Sequence, residues 1–508
     1  MEDRKNHPLY SKKLILGPMV RIGTLPMRLL ALNNGAELVY TEEIIDFKLI
    51  KSKRFVNDIL KTIDFVDDSG VVVFRTCSIE KSKLILQVIR IVNDSYVAYF
   101  YFFHKIGTND PKRAVLAAKM IENDVAGLDI NMGCPKSFSL KGGMGAALMT
   151  KPGLIQEIIS SLKQNVKVPI SCKIRVFDDL QETLELLKKI ESAGADAVAI
   201  HARTKEERPN HPNRNSYIKI ASETLKIPVI ANGDSSNIDC YDDLKLFQTK
   251  TNASSVMISR SAMKNCSIFD RSKRLKSVEE IIKEYLKLAL EFDNNAINTK
   301  YCIQQMLGSL QESEKGKILL GNRRVFFFPE SLKFSVILGA YDLKTISAIY
   351  ELEDFYESII EERLHNHQKK KIKLKNGSSQ NTIYENSKHY ELPVSFDKTL
   401  FDSDCELPKS ILHRWITKNN LEMPKFHTLA IEKQFHCMID FMGYTYSTPY
   451  LEKSKKLAEQ SAALVLILKQ GLCDDHRIID SCLIGPSNSI PVLEHNHHGK
   501  IYLIKINK

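Results

Sequence analysis

The sequence predicts an α/β chain: a parallel (β/α)8 barrel, then a helical domain, then a small α+β domain. Three observations predict it. Short apolar runs alternate with helical patterns through the first half, as parallel βα units require. Polar residues stand at the ends of successive apolar runs, where a barrel builds its site. A lysine-rich and then Gly/Ser-rich stretch, Lys369–Lys375 followed by Asn376-Gly-Ser-Ser-Gln380, reads as a flexible tether to a further unit.

The barrel strands are read at Leu14–Met19, Glu37–Glu42, Leu84–Gln87, Gly127–Asn131, Pro169–Ile174, Ala197–His201, Pro228–Asn232 and Ser255–Ser259. Helical patterns lie between most of them, among them Ala114–Glu122, Leu180–Ser192 and Tyr217–Thr224. The run Val71–Cys77 reads as an extra strand beside the barrel. From Val278 to Leu364 the pattern is mostly helical. After the tether, a helix Lys409–Lys418, an alternating segment Phe435–Tyr446 and an amphipathic helix from Lys453 to Leu466 form the small unit. The expected partition is 8–272 barrel, 273–365 helical domain, 366–394 linker, 395–472 α+β domain and 473–508 tail.

Composition narrows the classes. A hydrophobic content of 43% is ample for a core, and a net charge of +11 favours an anionic partner. Ten cysteines stand without a CxxC pair, so no metal site is expected. With a polar start and no apolar stretch long enough to span a bilayer, the expectation is a reduced compartment, the cytoplasm with the nucleus as alternative, and no membrane partner. A monomer is expected.

The strand ends carry Pro18-Met19-Val20, Gln87, Asn131, Cys134, Lys173 with Arg175, His201 with Arg203, Asn232-Gly233 and Ser259-Arg260. A flavin needs such a set. An amide such as Gln87 suits its pyrimidine edge, and a cation such as Lys173 stabilises the reduced anion. Backbone N–H groups after the seventh and eighth strands suit a phosphate. Cys134 stands where the fourth strand breaks into Gly-Cys-Pro, so its thiol is either a nucleophile or a proton donor.

The motifs Gly17-Pro18-Met19-Val20, Asn131-Met-Gly-Cys134-Pro135-Lys136, Lys141-Gly-Gly-Met-Gly145, Cys172-Lys-Ile-Arg175, Ile200-His-Ala-Arg203 and Ala231-Asn-Gly233 resemble those of the tRNA-dihydrouridine synthases. The likeness is to the eukaryotic tRNA-dihydrouridine(20) class, which carries a C-terminal double-stranded-RNA-binding domain. The resemblance implies an oxidoreductase that binds FMN, takes electrons from NADPH and reduces the C5=C6 bond of a D-loop uridine in tRNA. It implies Cys134 as the proton donor to C5. It implies Pro18, Met19, Val20, Gln87, Asn131, Lys173, His201, Asn232, Gly233, Asp234, Ser259 and Arg260 as the flavin's surroundings.

The target base must leave its stack to reach a barrel mouth. Arg203 and Arg208, in the basic loop after the sixth strand, suit RNA or the uracil. Lys453, Lys455 and Lys456 resemble the phosphate-binding lysines at the start of the second helix of a dsRNA-binding domain. Leu457, Ala458, Ala462 and Val465 form its packing face, and Trp415 reads as core of the first helix. The chain departs from the family in several places, among them the following. Val88–Lys105 interrupts the pattern after Gln87, and Arg323–Asp342 interrupts the helical domain. Asp234 stands where a second glycine is usual, which predicts repulsion of a phosphate. Two rival readings remain: a flavin reductase of a free pyrimidine, and a non-catalytic tRNA-binding protein on a decayed barrel.

Overall fold

In a computed structural model the chain is described at residues 4–67, 71–89, 111–136, 145–208, 210–320, 342–363, 389–391, 396, 407–431, 434–448, 450–452, 454–470, 472, 493–495 and 501–503. Most of both interrupting segments, the tether and most of the tail lie outside these residues. Two compact units result, the first ending at residue 360 and the second running from 361.

Eight parallel strands close the first unit's barrel: β1 (Leu14–Leu16), β2 (Leu38–Tyr40), β3 (Leu84–Ile89), β4 (Gly127–Met132), β5 (Ile170–Arg175), β6 (Ala197–His201), β7 (Val229–Asn232) and β8 (Ser255–Ile258). Each lies within or at the edge of a run read from the sequence. Closure comes from the β2–β3 pairing, which places Val39 beside Leu84 and Tyr40 beside Ile85. β3 passes Gln87 unbroken, so the segment that follows does not interrupt the strand there. The barrel's interior is filled by Tyr10, Ile15, Leu38, Tyr40, Ile85, Ala197, Ala199, Ile230 and Met257. Gly127 is glycine because a Cβ there would lie 2.8 Å from the Tyr10 hydroxyl and 2.9 Å from Ile85 Cδ1.

A three-stranded sheet, Lys53–Asn57, Thr62–Val66 and Val72–Cys77, stands beside the barrel. Only its last strand was legible. The first is polar and largely exposed, and ion pairs hold the sheet: Arg54 to Asp124 at 2.7 Å and Arg75 to Asp64 at 2.7 Å. A buried pair, Arg28 and Glu80 at 2.6 Å, also donates from Arg28 to the Gly23 and Arg75 carbonyls. It thereby ties the loop after β1 to this sheet.

The helices Val278–Glu291, Ala296–Leu307, Glu314–Leu320 and Leu343–Ile349 share the barrel's apolar core rather than forming one of their own. Ser277 opens the first with a capping box, its hydroxyl accepting from Glu280 N–H. Asn298, on the second, donates to the Arg21 carbonyl at 2.6 Å, bracing the loop after β1 at the barrel mouth.

In the second unit, a helix Pro408–Lys418 precedes β9 (Lys425–Ile431), β10 (Gln434–Phe441) and β11 (Tyr444–Ser447), an antiparallel meander. The helix Lys455–Lys469 covers it. Ala458, Ala462 and Val465 are buried as expected, with Leu412, Ile416, Ile439 and Phe441 opposite. Trp415 packs on Phe441 at 6.0 Å, in the core as read. Among the described residues no helix is long and apolar enough to cross a membrane.

Candidate active site

Register decides which strand-end side chains meet. Gln87 pairs with Asp129 and Asp129 with Ser171, while Asn131 pairs with Lys173, Arg175 with His201 and His201 with Asn232. Side chains alternate along a strand, so Asp129 and Asn131 share the inward face of β4. Asp129 accepts from Gln87 Nε2 at 2.7 Å and from Ser171 Oγ at 2.7 Å. Burial pushes its carboxyl up to about 6, against those two hydrogen bonds and the Lys173 charge. Gln87, fully buried, keeps one amide N–H and one lone pair for a ligand once Asp129 and Asn131 are served.

Cys134 is 8% exposed at the end of β4. Asn131 Oδ1 accepts from the N–H groups of Gly133 at 2.9 Å and Cys134 at 3.0 Å, which turns the chain sharply out of the strand. The Ala146 N–H donates to the Cys134 carbonyl at 3.1 Å. Gly145, at φ +54°, allows that closure: a Cβ would lie 2.6 Å from the same carbonyl oxygen. Glu43 stands in the loop after β2, and burial raises its carboxyl from the ordinary value against the opposing influence of Cys134, Asn131 and Lys173. Asn131 Nδ2 also donates to Gln87 Oε1 at 3.1 Å. Its oxygen therefore accepts twice and its amide nitrogen donates once within the protein. Asn131 thereby also brackets the cysteine turn.

The opposite strand ends are cationic. Burial, then the charge of Arg175, lowers the Lys173 ammonium to about 8, against the pull of Asp129 and Glu43. Arg175 donates to the Gly133 carbonyl at 2.8 Å and the Thr204 carbonyl at 2.6 Å, clamping two mouth loops together. Burial, then Arg203, brings it to about 10. Arg203 Nη1 approaches His201 Nε2 at 3.1 Å. A guanidinium only donates, so Nε2 accepts and the imidazole proton sits on Nδ1. Burial, with Lys173, Arg175, Arg203 and Arg260, holds His201 well below its ordinary value, so it is neutral.

Arg203 is 3% exposed and its Nε donates to the His211 carbonyl at 2.7 Å. Of the two expected roles, RNA or the uracil, this inward placement suits the uracil better than a surface contact. Arg208 is exposed, its guanidinium donating to the Glu206 carbonyl at 3.0 Å.

The seventh and eighth strand ends supply a cradle. Gly233, at φ +114°, faces the Asn213 amide, which a Cβ would overlap. Gly17 leaves room for Ser259, whose Oγ would lie 2.5 Å from a Cβ. Ser261 Oγ donates to the Ser235 carbonyl at 3.0 Å and joins the two loops. Half-buried Arg260 has no hydrogen-bond partner among the described residues. Asp234 is left-handed at φ +54°, which explains why glycine suits the position. Its carboxylate accepts from Asn215 Nδ2 at 2.8 Å and Asn237 Nδ2 at 2.6 Å. The expected bare repulsion is thus moderated by two amide donors. Asn232 Nδ2 donates to the Met257 carbonyl at 2.9 Å. Pro18 and Met19 are half-buried, Met19 against the core, while Val20 is 51% exposed.

The donor set fits a flavin: a free amide N–H on Gln87, the Lys173 ammonium, the neutral His201 Nδ1–H and the Arg260 cation converge on one mouth with two glycine-lined loops. Sequence reading missed Glu43, Asp129 and Ser171. Alternation on β4 signals Asp129, and two acids directly after β2 signal Glu43.

In the second unit, Lys455 and Lys456 are exposed in the first turn of their helix, which Ser454 caps by accepting from Leu457 N–H at 3.3 Å. Lys453 lies outside the described residues.

The dihydrouridine synthase family matches residues 103–326, and the double-stranded RNA binding motif matches residues 408–470. A Schizosaccharomyces pombe tRNA-dihydrouridine(20) synthase [NAD(P)+] is 38% identical over 60% of this chain, which spans 61% of that relative's length. A Saccharomyces cerevisiae protein of the same name is 36% identical over 59% of this chain and 78% of its own. A human tRNA-dihydrouridine(20a/20b) synthase-like protein is 29% identical over 53% of this chain and 75% of its own.

Proposed function

We propose that this chain, which belongs to the dihydrouridine synthase family, reduces the C5=C6 bond of a D-loop uridine in tRNA, at position 20, with bound FMN and with NADPH as electron source. The observation that carries the reading is the Cys134 turn, bracketed by Asn131 at the end of β4 and standing in the field of the Lys173 and Arg175 cations of β5. A bound flavin would supply the hydride that C6 accepts, because C6 is conjugated to the C4 carbonyl.

The chain's own residues do the rest. Lys173 and the neutral His201 orient polar edges by donating. Gln87 offers its remaining N–H and lone pair to a pyrimidine edge, and Arg260 with the Gly233 loop suits a phosphate. Cys134 delivers its proton to C5 as a general acid. The higher identity to relatives named for position 20 than to the relative named for 20a/20b supports that position. Lys455 and Lys456 contact tRNA phosphates by shape and charge rather than by sequence, and a cytoplasmic location suits this substrate.

The purified chain, loaded with FMN and given NADPH and unmodified tRNA, should form dihydrouridine that nucleoside mass spectrometry locates at position 20. Reduction of free uridine but not tRNA would favour the small-pyrimidine reading. No product from either substrate would overturn the proposal.

A further inference from the structure

We propose that Arg21, laid on the Tyr301 ring, is a phosphate-binding residue of the barrel mouth, taking a tRNA phosphate beside the uridine that turns inward. The inference rests on the reductase reading for the identity of the RNA. Arg21 stands exposed in the loop after β1. Its guanidinium carbon lies 4.1 Å from the centroid of the Tyr301 ring, on the helix Ala296–Leu307. Its hydrogen bonds among the described residues are made by the backbone alone. The N–H donates to Glu42 Oε2 at 2.9 Å, and the carbonyl accepts from Asn298 Nδ2 at 2.6 Å and from Cys302 Sγ at 3.5 Å. These contacts hold the residue at φ +66°, a left-handed conformation that an arginine rarely adopts. Arg175 and Arg203, by contrast, spend their guanidiniums on the Gly133, Thr204 and His211 carbonyls.

Stacking on an aromatic ring uses the face of a guanidinium and leaves its edge N–H groups free. Two parallel edge N–H groups match two phosphate oxygens, a geometry that an ammonium cannot supply. The Glu42 carboxylate accepts from the Arg21 backbone and forms no ion pair with its guanidinium among the described residues. An exposed arginine ordinarily loses rotamer freedom when it binds. Here the backbone is pinned from two other elements and the guanidinium already rests on Tyr301, so less is lost. A base turned into the mouth carries its flanking phosphates to the rim, where Arg21 stands.

The test uses the full chain loaded with FMN, titrated by fluorescence anisotropy with unmodified tRNA and with a plain RNA duplex at several salt concentrations. Arg21→Gln should reduce the salt slope of log K for tRNA by about 1. The duplex curve should stay as in wild type, since a plain duplex offers no base turned into the mouth. In turnover, the KM for tRNA should rise about tenfold with kcat near wild type, the signature of a lost binding contact. Arg21→Lys should keep the slope and recover only part of the KM. Tyr301→Leu should also keep the slope and raise the KM by less than Arg21→Gln does. An unchanged tRNA slope would overturn the proposal, as would an equal loss on the duplex. A fall in kcat with the slope unmoved would overturn it too, leaving Arg21 a brace of the loop after β1. If wild type forms no dihydrouridine, the reductase reading falls, and the anisotropy slopes still decide whether Arg21 takes an RNA phosphate.

Discussion

The barrel mouth and the lysine-led helix of the C-terminal unit both present positive charge, but by opposite physics. At the mouth, Lys173, Arg175, Arg203 and His201 are lowered by burial and by one another, and most are fixed by specific partners. Lys455 and Lys456 stand in solvent at a helix start, on a unit held by its own apolar core. Desolvated, mutually opposed cations are preorganised for one developing charge and sensitive to pH. Solvated lysines supply interchangeable attraction to phosphates, sensitive to salt. On the proposed function, the desolvated mouth serves the chemistry and the solvated lysines serve affinity.

Three changes sharpen or break that contrast. The largest effect is expected at the thiol. Cys134→Ala should lower the rate of dihydrouridine formation by at least 100-fold, while flavin absorbance of the purified protein is retained. A variant as active as wild type would remove the cysteine from the chemistry and leave the mouth a binding site only.

Next comes the C-terminal helix. Lys455→Ala with Lys456→Ala should weaken tRNA binding on the order of tenfold and reduce the salt slope of log K by about 2. The pH dependence of the catalytic step should stay as in wild type. An unchanged slope would mean that the lysines are only a solvated face.

The smallest effect, and the most diagnostic of burial, is on stability. Lys173 has a folded pKa of about 8 against an ordinary 10.5. Below the lower value both states hold the proton and the burial cost is fully present. Between the two values the unfolded chain binds more protons, so stability rises with pH. Denaturant unfolding of the ligand-free chain should therefore show wild type gaining on Lys173→Met across pH 8 to 10.5. Parallel curves would show that this lysine is solvated like those of the C-terminal unit.

The sequence by itself determined the barrel, because parallel strands buried on both faces must read as short apolar runs that end in polar residues. β1 to β8 follow from that pattern, as do the Cys134 turn and the buried face of the helix Lys455–Lys469. Only the tertiary structure decided what depends on neighbours remote in the chain. Lys53–Asn57 carries no apolar alternation and becomes a strand by pairing antiparallel with Thr62–Val66, while Arg54 meets Asp124. Asp234 reads as repulsive until Asn215 and Asn237 are seen donating to it. Arg203 reads equally as a contact to RNA or to the uracil until its burial against His201 and the His211 carbonyl appears. Asn131 reads only as a cofactor-side amide until Gln87 and two backbone N–H groups are seen to make it a bracket of the cysteine turn as well. Burial and hydrogen-bond satisfaction are properties of a surrounding, and closing the barrel brings that surrounding together from strands far apart in sequence.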